Sequence, residues 1–237
     1  MWIPLLAYGM SVLGSLIGLA CMARARSEPK QESKILWTVL GAFAIGGVAI
    51  WLMHFIGMLG FDVTGTLKYS ATLTALSALV SVAVVGVGLS MVTLIAVTTT
   101  RLVSAGVLAG LGVAAMHYMG MAAIVFQGEL TYDPLLTALS CLIAVVAATV
   151  AFWFTLVVKT ALASTAAGLL MGAAVTGMHY TGMAAVSVTT NLALPAPTGT
   201  EVFDLVFPVF VIGVLGIAVL LWMLFMSEND PLGDPTG

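Results

Sequence analysis

Three histidines occur in the chain, and each stands in the same short setting. The stretches read Met53-His54-Phe55-Ile56-Gly57-Met58, Met116-His117-Tyr118-Met119-Gly120-Met121 and Met178-His179-Tyr180-Thr181-Gly182-Met183. On a helix, residues i and i+4 share a face, so His54 points with Met58, His117 with Met121 and His179 with Met183. Imidazole suits copper, zinc, iron and nickel, while thioethers select soft Cu(I). Zinc more often takes thiolates or carboxylates beside histidine, and no apolar span has an acidic residue near these stretches. The residues therefore point to copper, one or two ions, on His54, His117 and His179 with Met58, Met121 and Met183. Met53, Met116 and Met178 stand about 100° round the helix from their histidines, where packing competes with ligation. Phe55 replaces Tyr118 and Tyr180, so a phenol is not a ligand in every unit. The plainer alternative makes each histidine a hydrogen-bonding link between helices and each methionine a gap filler. Three copies in register, each an ionisable group in an apolar stretch, weigh against it.

The elements that must carry these residues are membrane spans. The chain has 237 residues, 61% apolar and only 7% charged, with a mean hydropathy of +1.17. A soluble domain carries roughly a quarter charged residues, so lipid is the main solvent for these side chains. A net charge of −3 argues against a nucleic-acid partner. Crossing a bilayer takes about 20 apolar residues, and seven stretches qualify: 2–22, 35–60, 71–97, 102–126, 135–158, 162–188 and 205–226. Arg24, Arg26, Lys30, Lys34, Arg101 and Lys159 share one face, leaving Lys68 on the other. That face is expected to be cytoplasmic, with the N-terminus outside and residues 227–237 a cytoplasmic tail. Connection 189–204 is the longest external one, expected to lie as a cap or stay mobile. Cys21 and Cys141 fall toward opposite sides and read as packing residues.

The spans repeat. The histidines are 63 and then 62 residues apart, and Thr74–Leu79 recurs 63 residues later as Thr137–Leu142. Residues 11–16 fit a further 63 residues upstream, more weakly. A glycine precedes each histidine by seven positions: Gly47, Gly110 and Gly172. These, with Gly57, Gly120 and Gly182, permit close helix approach next to the site. A two-span unit returns the chain to its starting side, so units of about 5–60, 68–123 and 131–185 share one orientation. The expected fold is all-α: a seven-span bundle of three parallel two-helix repeats about a pseudo-threefold axis, plus a seventh helix over 205–226.

Met178-His179-Tyr180-Thr181 spells the motif that names the bacterial MHYT domain, and the triple motif over roughly residues 5–226 resembles that family. The resemblance implies a sensor domain over 1–226 in the bacterial inner membrane. It implies that the Met and His residues bind copper, which in turn meets oxygen, carbon monoxide or nitric oxide. Relatives of that kind continue into cytoplasmic cyclic-di-GMP enzymes or kinases, so a signalling partner or a further output domain is expected. Two motifs depart from the name, with Phe55-Ile56 and Tyr118-Met119, which argues against Thr181 as an essential ligand.

The leading expectation is a copper-dependent sensor of a diatomic gas or redox state, without catalytic activity in this chain. A copper or small-solute transporter is the second reading, and a membrane copper oxidase the third. Proton-coupled transport usually needs ionisable residues along its path. Away from the motifs the spans are mainly Ala, Val, Leu and Gly, which favours a site over a pathway.

Overall fold

A computed structural model describes residues 2–228. Its first span is α1 (Ile3–Ser27). The second comprises α2 (Gln31–Ala42), a π-helical segment Phe43–Leu52 and α3 (Met53–Met58). The remaining spans are α4 (Ala71–Thr93), α5 (Thr99–Ala122), α6 (Pro134–Val157), α7 (Ala161–Ala184) and α8 (Val202–Glu228). Among the described residues, seven helices are thus long and apolar enough to cross a membrane. Side chains fix four of their starts. Ser70, Thr98, Asp133 and Thr160 each accept a hydrogen bond from the backbone N–H three residues on, satisfying a donor the first turn would leave unpaired. The fourth and sixth helices end at Ala122 and Ala184, short of the expected 126 and 188. The β-branched residues that follow enter strands instead, where their stiff side chains fit better.

Six helices close into a ring. The π segment lies between α1 and α4, α5 between α4 and α6, and α7 between α6 and α1. α8 stands outside, against the π segment and α1, with 6% of its apolar window buried. At the motif end the connections are stitched together: β1 (Lys68–Tyr69) pairs with β2 (Ile124–Val125), and β3 (Gly128–Tyr132) with β4 (Val186–Thr190). The long sixth connection lies as a cap. Thr200 bridges to Tyr69, and the Gln127 amide donates to the carbonyls of Leu192 and Leu194. At the opposite, basic end, Arg26 donates to the Val158 carbonyl at 2.9 Å. Of the expected tail 227–237, Ser227 and Glu228 extend α8; the rest lies outside the described residues.

Two register features break the symmetry that the spacing suggests. Gly110 packs on the backbone of α6, where a Cβ would stand 2.7 Å from Val145 N. The matching place in the first unit falls to Gly46, where a Cβ would meet Ser81 O and Val82 Cα at 2.9 Å. At Gly47, the residue expected from spacing, a Cβ would sit at an ordinary 3.6 Å from Val82 Cγ2. The π segment absorbs the extra residue: eight positions separate Gly46 from His54, against seven between Gly110 and His117. Such insertions are single-residue events that cluster at functional sites. The second feature concerns α1. Gly172 packs on Val12 as Gly110 does on Val145 and Gly46 on Val82. Val12 and Val82 are 70 residues apart, not 63, so α1 sits seven residues from the frame that residues 11–16 suggest. Seven residues are two helical turns, which leaves the same face inward.

Candidate metal centre

Each histidine is placed by the last two turns of an even span, just before the chain turns into the cap. All three are buried, with His54 3%, His117 0% and His179 1% exposed. Their Nδ1 atoms form a triangle with edges of 3.1, 3.2 and 3.3 Å. The rings meet edge-on, with centroids 5.0–5.1 Å apart and interplanar angles of 78°, 83° and 86°. Near-equal distances across residues 54, 117 and 179 are the local expression of the pseudo-threefold axis.

The glycine three residues after each histidine builds the seat of another. A Cβ on Gly120 would overlap Nε2 of His54, one on Gly182 would overlap Nε2 of His117, and one on Gly57 would overlap Nε2 of His179. Each imidazole is wedged edgewise against the backbone of the following repeat, which turns Nδ1 to the axis. The motif needs glycine there because no other residue lets a ring approach the helix backbone so closely. Sequence spacing marks Gly57, Gly120 and Gly182 as packing residues; the cyclic pairing with the histidines is visible only in three dimensions.

Hydrogen bonding satisfies this triangle poorly. A neutral imidazole carries one N–H, so each Nδ1 is a donor or an acceptor. One N–H can serve both other nitrogens only as a bent, three-centre bond, which leaves their lone pairs facing each other. Two give a shared acceptor with facing hydrogens; none or three give no bond. A cation on the axis satisfies all three lone pairs at once. A tetrahedral ion with bonds of about 2.0 Å has ligand–ligand edges of about 3.3 Å, so the donors fit a metal ion with one position left open. His54, His117 and His179 together can hold such an ion.

The remaining candidates divide by position. Met58 and Met121 are buried, with Met183 beside them, in one cluster under the cap with Tyr69 and Ile124. Burial pushes the Tyr69 phenol up to about 12, so that roof stays neutral. The outer methionines do not share a cluster: Met53 packs with Ala7, Val48 and Leu52, whereas Met116 and Met178 enter the main core. Tyr118 stacks edge-on to His117 and shares a 2.7 Å hydrogen bond with Ser140. Phe55 instead stacks on Trp51, whose indole donates to Ser77 at 3.0 Å. Thr181 donates to the Gly177 carbonyl of its own helix. Cys21 and Cys141 are free thiols.

A ring of six spanning helices with a buried cluster of three imidazoles under a stitched cap defines a helical membrane domain with a candidate metal site. The comparisons assign it: the chain belongs to the MHYT family, whose profile, a bacterial signalling protein N-terminal repeat, matches residues 47–106 and 110–168. It is 40% identical over 181 residues to the bifunctional diguanylate cyclase/cyclic di-GMP phosphodiesterase MucR of Pseudomonas aeruginosa, covering 74% of this chain and 26% of that protein. Cyclic di-GMP phosphodiesterase NbdA of the same organism is 37% identical over 171 residues, 70% of this chain and 21% of its own length. Signaling protein YkoW of Bacillus subtilis is 31% identical over 225 residues, 91% of this chain and 27% of its length. The chain thus spans about a quarter of the curated relatives it matches. No solved structure matches it. The family and these relatives make it a signalling domain of the membrane.

Proposed function

We propose that the chain is a copper-dependent sensor whose three histidines hold one ion and whose open coordination position meets a diatomic gas or reports redox state. The observation that carries the reading is the Nδ1 triangle, which protons pair only through bent, shared bonds and a single ion on the axis would satisfy. Charge favours the monovalent ion. Among the described residues no carboxylate reaches the triangle, and the Born cost of burial scales with the square of charge, so Cu(I) costs about a quarter of what Cu(II) or Zn(II) would. The Nε2 atoms of His117 and His179, without hydrogen-bond partners among the described residues, lack the carboxylate partners that raise ligand basicity at many divalent sites. The methionine cluster under the cap supplies soft neighbours, with Met58, Met121 and Met183 as weak or distant ligands. Met53, Met116 and Met178 remain in the proposal as packing residues first and ligands second.

The plug beneath the site supports a sensor over a transport path. Leu19, Leu89 and Phe152, then Met22, Val92 and Thr155, fill successive buried layers toward the basic end. The basic end lies in the cytoplasm, so the N-terminus is outside and α8 leads inward to the output. By analogy with its relatives, that output is cyclic-di-GMP metabolism in a further domain or a partner. A ligand moves such a switch only by binding its two states unequally. The test is metal analysis of the purified chain with His54, His117 and His179 each replaced by alanine. Wild type should carry one copper, and each variant little. Copper content equal to wild type in all three variants would overturn the proposal.

A further inference from the structure

The ring encloses a cavity of about 40 Å³ on its axis, on the side of the histidines that faces the basic end. Ile50, Val113 and Val175 line it, and each stands four residues before its histidine, one helical turn away. The odd helices complete the layer with Ser15, Val85 and Ala148, the equivalent positions once the two-turn slip of α1 is applied. One water needs about 10–15 Å³ of such volume and two to four polar partners. There is room for more than one water-sized atom. Ser15 is the polar side chain among the described lining residues; it is 1% exposed, and its hydroxyl has no partner among them. The backbone around it belongs to helices and is already paired. Water would find one partner where it needs several, whereas a small apolar solute loses nothing by entering.

We propose that this cavity binds an uncharged, weakly polar molecule of two or three heavy atoms, its body among Ile50, Val113, Val175, Val85 and Ala148 and one end accepting the Ser15 hydroxyl. Its role as the approach to the metal rests on the sensor reading above; its occupancy does not. Xenon probes the cavity alone, and carbon monoxide on the Cu(I)-loaded chain probes the link. The purified full chain should take up one xenon saturably, by xenon-exchange NMR. Ala148→Leu, or the gentler Ala148→Val if leucine prevents folding, should weaken uptake roughly tenfold while copper content stays at the wild-type level. Absence of saturable xenon binding in wild type, or unchanged binding in the folded filled variant, overturns the cavity proposal. The filled variant should also bind carbon monoxide more slowly, read from its infrared band. Ser15→Ala should shorten carbon monoxide's stay without changing xenon uptake. Xenon binding with no carbon monoxide complex in any variant leaves the cavity standing and sinks the gas-sensing reading instead.

Discussion

At the scale of single residues, the centre depends on three nitrogens being turned to one point by three glycines. Adding a methyl group at Gly120 drives against the backbone-facing edge of His54. Gly120→Ala is therefore expected to remove copper almost as fully as His54→Ala, although alanine is the better helix former. Metal content and circular dichroism together check this, since the helix should persist while the metal goes. Tyr118→Phe should keep its copper, because Phe55 already serves in the equivalent place, and should lose only the hydrogen bond to Ser140. The triple change Met58→Leu, Met121→Leu and Met183→Leu conserves volume within the cluster under the cap. If the thioethers stabilise the reduced ion, that variant keeps its copper but oxidises more readily in air. Equal oxidation rates would assign these methionines to packing. The histidines were legible from their repeated setting. Their atoms were not: spacing says that His54, His117 and His179 share a depth, but not that Nδ1 rather than Nε2 faces the axis.

At the scale of elements, hydropathy and capping residues account for the spans, and the departures have physical causes. Gly47, Gly110 and Gly172 keep one distance from their histidines, so the sequence carries no trace of the extra residue that the π segment absorbs. That insertion shows only in which glycine touches α4. The two-turn slip of α1 was equally hidden, because a shift of seven residues preserves the inward face. The strands after α5 and α7 lie within apolar runs that read as helix until their partners are known. The π segment makes a direct prediction. Deleting Gly47 restores the seven-residue spacing and should return the span to α-helix. Copper should be retained and thermal stability should rise, since the insertion is relieved at a loosely packed glycine. A folded deletion variant without copper would show instead that the π segment tunes the site.

At the scale of the whole molecule, six of seven positive charges gather at one end of the ring. A reporter fused after Gly237 should be active only in the cytoplasm; activity on the other side would invert the proposed route of the signal. The cyclic seating of the histidines reaches further, into how the protein is made. His54 finds its seat at Gly120 and His117 finds its seat at Gly182, while Gly57 waits for His179. A chain entering the membrane from its N-terminus passes its first histidine long before the backbone that will hold it has been synthesised. The three-nitrogen centre is complete only with α7, which supplies both the last ligand and the last seat, and docks on α1 to close the ring. A chain that ends before α7 would carry only two of the three nitrogens, on His54 and His117. If the ring holds an ion as proposed, its full three-nitrogen site exists only once insertion is complete, and the ion would act as a seal on the finished ring.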